Sequence, residues 1–211
     1  MTAPSLSIPM LKFDQLTVQR GEIPLCEAVV LSLSAGSICH LIGANGTGKT
    51  TLLMQLAGLL PITTGAVYYQ GTIGLPIQPL YVSHQLGIHP SLTVAQNLIF
   101  LLNLYGITPN DDDIDQALAW VGLQGFETIS SSHLSAGQTR RITLARLYLL
   151  TPQLTPLWLL DEPFTALDVD MVARMETRLR EFASMGGAIV MTSHQSVAVV
   201  NQVLDLSDYV V

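Results

Sequence analysis

Apolar positions change their spacing along the chain in a way that separates strands from helices. Leu11 to Val18 alternates apolar with polar residues, which predicts a half-buried strand, and Gly21 to Pro24 supplies a turn. Val29 to Leu33 and Ser37 to Ile42 read as two further strands. Beyond residue 51 the period lengthens: Leu52, Leu53, Leu56, Leu59 and Leu60 share one helical face, and Pro61 to Gly65 ends it. Ala66 to Tyr69 and Leu80 to Val82 return to strand character.

Helical spacing dominates the next stretch. Thr93 to Tyr105 predicts a buried or interfacial helix, and Asp111 to Val121 another, capped by Asn110. A third helical run reaches about Leu149. Leu157 to Leu160 is an unbroken apolar run, as expected of a strand buried on both faces. Val172, Met175, Leu179 and Phe182 then recur at helical spacing and stop near Gly186 and Gly187, which makes them sheet-packing scaffold. Ala188 to Thr192 predicts a strand, Gln195 to Val203 a helix, and Leu204 to Val211 a last strand.

The composition narrows the setting. A chain of 211 residues suits one domain with an inserted lobe, and 49% of it is hydrophobic, with a mean hydropathy of +0.44. No apolar run approaches the roughly 18 residues of a membrane span, so the excess apolar surface is expected to meet a partner. Acidic residues outnumber Lys and Arg by 16 to 9, and the net charge of −7 argues against nucleic acid as that partner. Cys26 and Cys39 lack metal-type spacing, and Met1 to Pro4 lacks the start of a secretory leader, so a reducing cytoplasm is the expected compartment.

Chemistry enters at Gly43 to Thr51, GANGTGKTT, which fits G-x-x-x-x-G-K-[ST] between a strand and a helix. Glycines there let the backbone turn sharply and approach a polyphosphate, whose charge is met by backbone N–H groups and the positive end of the following helix. Gly43, Ala44, Asn45, Gly46, Thr47, Gly48, Lys49, Thr50 and Thr51 are the candidate phosphate-binding residues. Lys49 is placed to reach the β- and γ-phosphates, and Thr50 to ligate Mg²⁺. Asp161 and Glu162 close the apolar run at Leu160, where a parallel strand delivers carboxylates to a nucleotide. Asp161 is the expected Mg²⁺ ligand and Glu162 the group that polarises the attacking water. A calcium loop at Asp111, Asp112, Asp113 and Asp115 fails, because Gln116 stands where glycine is needed and Gly122 where Glu is needed. Those acids suit a first helical turn, where they complement the dipole.

Leu134, Ser135, Ala136, Gly137 and Gln138 spell LSAGQ, followed by Thr139, Arg140 and Arg141, and Asp161 to Asp168 spells DEPFTALD. With the phosphate loop, these motifs resemble those of ATP-binding cassette (ABC) ATPases, in the family's order and across essentially the whole chain. The resemblance implies an α/β fold of the P-loop type: a mixed sheet core, an antiparallel β subdomain and an inserted helical subdomain. About 1–85 and 151–211 would form the core with the β subdomain, and about 86–150 the helical part. It implies ATP and Mg²⁺ as ligands, with Gln85 in SHQLGI sensing Mg²⁺ and water, His194 in MTSHQ contacting the γ-phosphate, and Asp168 in the D-loop. Arg20 occupies the place where the family stacks an aromatic residue on adenine, and its planar guanidinium also stacks. His40, His84, His89 and His133 match no motif and read as core or surface residues.

Similarity to the family also implies a homodimer that sandwiches ATP between one chain's GANGTGKT and the other's LSAGQ, and an integral membrane permease as partner. The location implied is peripheral, on the cytoplasmic face of the inner membrane. Leu86, Ile88, Leu92 and Ile99 lie where a permease would dock, and are expected to be partly exposed. In SHQLGI, LSAGQTRR and DEPFTALDV the chain is further similar to ATP-binding subunits of the heme exporters of cytochrome c maturation. Another small-substrate transporter ATPase is the alternative, followed by a soluble non-transport ABC ATPase. A kinase or GTPase leaves LSAGQ unexplained. No C-x-x-C-H occurs, so the His and Cys residues are not read as heme ligands.

Overall fold

The structure, a computed structural model, describes residues 8–74 and 77–211. Met1 to Pro4, used above to argue against a leader, lies outside them. Two sheets organise the fold. One is antiparallel, in the order β2-β1-β4-β5, built from β1 (Leu11–Arg20), β2 (Ile23–Leu33), β4 (Ala66–Tyr69) and β5 (Thr72–Ile73). The other is parallel, in the order β6-β7-β8-β3-β9, from β3 (Ile38–Ile42), β6 (Leu80–Val82), β7 (Leu157–Leu160), β8 (Ala188–Met191) and β9 (Gln202–Asp205). The expected mixture of strand directions is thus divided between two sheets.

Strand alternation splits the core. On β7 and β8, Leu157, Leu159, Ala188 and Val190 face the antiparallel sheet and helix α1 (Lys49–Leu56). Trp158, Leu160, Ile189 and Met191 face the helices α2 (Val94–Asn103), α3 (Asp111–Trp120), α4 (Ala136–Leu149) and α5 (Val169–Ser184). All eight side chains are fully buried, and each large one contributes about 1.5–3 kcal/mol relative to exposure. The phosphate-loop strand therefore rests on two packed layers. On the helical face, Trp158 stacks on Phe182 with centroids 3.7 Å apart, and the Arg178 guanidinium lies 5.5 Å from the Trp158 ring.

Several expected boundaries moved for local reasons. Helix α1 ends at Leu56 because Gly58 turns left-handed at φ 73° and the Leu59 N–H closes onto Met54 O, so Leu59 points outward. β2 begins at Ile23 instead of Val29: it is an edge strand, so Pro24 costs no interior hydrogen bond. Asn110 caps α3 as expected, and the Asp113 side chain adds the reciprocal bond by accepting the Asn110 N–H.

The expected helix from Gln195 to Val203 does not form. Asn201 bonds β3 through its backbone N–H to Ile38 O and through its Oδ1 from the Ile38 N–H, and β9 then pairs with β3. Strand pairing overrides helical spacing in a Val-rich segment with weak helix propensity. Nor is Leu204 to Val211 one strand, since Leu206–Tyr209 is a 3-10 turn begun by Asp205, whose side chain accepts the Ser207 N–H.

Candidate nucleotide site

A cleft of about 410 Å³ opens at the C-terminal ends of β3, β7 and β8. Arg20, Asn45, Gly46, Gly48, Lys49, Thr50, Thr51, Asp161, Glu162 and His194 line it, with His84 and Leu25. It thus gathers loops that sequence separates widely.

The loop's conformation follows from its glycines. Gly48 precedes α1 at φ 102°, and a Cβ there would lie 2.8 Å from Val18 Cγ1. No side chain caps α1, so the N–H groups of its first turn are not consumed by a cap. Lys49 reaches back along the loop and donates to the carbonyls of Gly43 at 2.7 Å and Ala44 at 3.0 Å. That places its ammonium among the groups a phosphate would meet.

The carboxylates are held differently. Asp161 is buried: its Oδ2 accepts from Thr50 Oγ1 at 2.8 Å and its Oδ1 from Thr192 Oγ1 at 2.7 Å. Consecutive strand side chains normally point to opposite faces, yet Asp161 and Glu162 both line the cleft. The reason is a left-handed turn at Glu162, φ 52°, a conformation that costs a non-glycine residue about 1–3 kcal/mol. Its peptide is fixed on both sides, with the N–H donating to Thr192 Oγ1 at 2.8 Å and the C=O accepting from Arg140 Nη2. His194, largely exposed, brings Nε2 to 3.5 Å from Glu162 Oε1.

Gln85 is not in the cleft lining. It is exposed on the loop after β6, where its backbone oxygen accepts from Ser83 Oγ. Its neighbour His84, read from the sequence as roleless, takes part in the lining instead. Leu134 to Gln138 also lie outside the lining. There Ser135 caps α4, accepting the Gln138 N–H at 3.2 Å while Gln138 Oε1 accepts the Ser135 N–H at 2.9 Å. Ser135 and Ala136 are exposed. Asp168 caps α5 by accepting the Met171 N–H at 2.8 Å and pairs with Arg141. The Met171 N–H above all, opposed by desolvation and aided by Arg141, holds this carboxyl below its usual range.

Thr50 Oγ1 and Asp161 Oδ2 suit Mg²⁺. Adjacent oxygens on an octahedral ion with bonds of 2.0–2.1 Å lie about 2.9 Å apart, close to the separation found here. Mg²⁺ usually takes one or two protein oxygens and leaves its remaining positions to phosphate and water.

Comparison with known proteins points the same way. Residues 26–165 match the ABC transporter family. The cytochrome c biogenesis ATP-binding export protein CcmA of Pseudomonas fluorescens is 42% identical over 92% of both chains, and that of Vibrio cholerae 40% identical over 88% of this chain and 91% of its own. Among solved structures, a putative ABC transporter ATP-binding protein from Pyrococcus furiosus superposes with a TM-score of 0.83 at 24% identity, covering 95% of this chain and 99% of its own. A dimeric ATP-binding cassette bound to ADP and Pi gives 0.78 at 23% identity, covering 93% and 94%. The chain belongs to the ABC transporter ATP-binding family and is an ATP-hydrolysing subunit of that type, similar over most of its length to CcmA proteins.

Proposed function

We propose that this chain powers a membrane permease of cytochrome c maturation, with heme as the cargo handled by the complex. The observation that carries the reading is the similarity to CcmA proteins over 92% of both chains, joined to a cleft that gathers Lys49, Thr50, Asp161, Glu162 and His194. Among the described residues no helix is long and apolar enough to cross a membrane, and the reading assigns the transport path to a separate permease subunit. The working location is peripheral, on the cytoplasmic face of the inner membrane.

The cleft lining and the family resemblance support the following residue roles. Lys49 and the N–H groups of residues 43–51 bind the β- and γ-phosphates, and Arg20 stacks on the adenine. Thr50 and Asp161 hold Mg²⁺, which supplies charge neutralisation between the phosphates. Glu162 accepts a proton as water attacks the γ-phosphorus and the bond to the β-phosphate oxygen breaks, giving ADP and phosphate. His194, beside Glu162, contacts the γ-phosphate, and Gln85 joins when its loop turns inward.

A second copy completes the site. Exposed Ser135, at the N-terminus of α4, donates to the γ-phosphate held by the partner, with Asp168 at the same interface. Closure of this dimer moves the helical part, about residues 86–150, against the core. Leu86, Ile88, Leu92 and Ile99 are all partly exposed, and Phe100 and Leu104 are half exposed beside them, which suits a docking surface for the permease.

The test is affinity purification of the Glu162→Gln form from detergent-solubilised membranes with ATP. Recovery of a multi-span protein of cytochrome c maturation is the expected result. A different permease would remove heme from the proposal, and recovery of none would replace it with a soluble role.

A further inference from the structure

We infer that Arg140 and Thr192 form a clamp on the Glu162 peptide and are positioning residues for hydrolysis. The inference rests on the reading of Glu162 as the group that takes the water's proton. Neither residue touches the place where phosphates would lie, since neither lines the cleft. Both are nonetheless buried polar residues, and both direct their polar atoms at one peptide.

Thr192 follows β8 directly, and its N–H bonds Leu160 O at 3.0 Å, extending the β7–β8 pairing by one residue. That register carries its hydroxyl to the end of β7. A hydroxyl has one proton and two lone pairs. The proton goes to Asp161 Oδ1 and a lone pair to the Glu162 N–H, so a single side chain fixes the metal-side carboxylate and the start of the left-handed turn.

Arg140 approaches from the opposite side, one turn into α4. Its Nη2 donates to the carbonyl of Glu162 and, at 3.4 Å, to that of Asp161. A left-handed residue redirects its carbonyl away from the strand ladder, and here a buried cation receives it. The same guanidinium lies within electrostatic reach of both carboxylates, which oppose the lowering of its pKa by burial. Because Arg140 sits five residues after Ser135 on the same helix, the clamp mechanically joins the signature motif to Glu162. A shift of α4 on dimer closure therefore reaches the Glu162 carboxylate through one side chain.

The experiment measures ATPase kinetics and thermal midpoints for Thr192→Val, Thr192→Ser and Arg140→Met, each alone and combined with Glu162→Gln. Thr192→Val is close to isosteric and removes only the hydroxyl's bonds. For Thr192→Val and Arg140→Met the expected result is a fall in kcat of about 10- to 100-fold, with KM for ATP within about twofold, as for a misplaced reacting group. Thr192→Ser should restore most of the rate. In the Glu162→Gln background, Arg140→Met should change the residual rate by less than about twofold, because it acts through the carboxylate already removed, and Thr192→Val should keep only the smaller loss that comes from freeing Asp161. An equal loss in both backgrounds, or a rise in KM that matches the fall in kcat, would overturn the clamp while leaving Glu162 in its role. Full turnover by Glu162→Gln alone would overturn both.

Discussion

Thr50 Oγ1 and Asp161 Oδ2 meet across 2.8 Å although 111 residues separate them. The contact ties the first turn of α1 to the end of β7, and so joins the two motifs that were read separately in the sequence. Its two oxygens are the pair proposed to hold Mg²⁺. Thr50→Val removes one of them with little change in volume. ATP affinity measured by calorimetry should then differ much less between Mg²⁺ and EDTA than it does in the parent chain.

Lys49 and Glu162 should fail in different ways. Lys49→Ala removes the ammonium from the loop and is expected to weaken ATP binding itself. Glu162→Gln should leave binding within about threefold and lower turnover by about 10²- to 10⁴-fold, the usual weight of general-base catalysis. Equilibrium binding and steady-state rates on both variants separate the two defects. Equal loss of binding in both would refute the division of roles.

Gly48→Ala tests the loop geometry. The new Cβ meets Val18 Cγ1 at 2.8 Å, and a residue with a Cβ resists φ 102°. Destabilisation of about 1–3 kcal/mol in urea unfolding is expected, together with weaker ATP binding. Gly46→Ala has open space around its Cβ, so its cost should come from backbone strain alone and be smaller.

Burial pushes the Cys39 thiol up to about 12 from an ordinary 9.0, against a weaker opposing hydrogen bond at Leu204. The folded chain thus holds this proton more tightly than the unfolded chain. Stability from that difference is fully present below pH 9 and is lost as pH rises toward 12. Burial likewise raises Tyr81 to about 12, reinforced by the Asp161 charge. Urea midpoints should fall from pH 9 upward, and less steeply in Cys39→Ala. Native Cys39 should also resist iodoacetamide at pH 8.

The phosphate loop, the carboxylates and the strand that presents them were legible because each is a local pattern with one physical solution. GANGTGKTT has no low-cost conformation other than a tight loop, and Leu157 to Leu160 has no polar face to expose. Arg140 and Thr192 were not legible as site residues, because their partners are backbone atoms that no side-chain pattern records. The one available signal was a threonine closing an apolar strand two residues before His194. Segment 195–201 failed for a related reason. Its Val residues fit a helix or a strand, and only the exposed edge of β3 decided between them. His84 entered the cleft in place of Gln85 because loop direction after a three-residue strand is set by packing, which spacing does not encode.

The order of the parallel sheet has a consequence for synthesis. β3, which launches the phosphate loop, pairs with β8 and β9, and Ile38 finds the Asn201 side chain 163 residues later. On the ribosome, the ATP-binding motif therefore emerges long before either neighbour that supports it. A nascent chain halted before residue 188 would carry the whole motif on a strand with two open edges, prone to aggregation and a natural client for chaperones. The strand beneath the phosphate loop thus gains both of its neighbours only after residues 188–205 have been made.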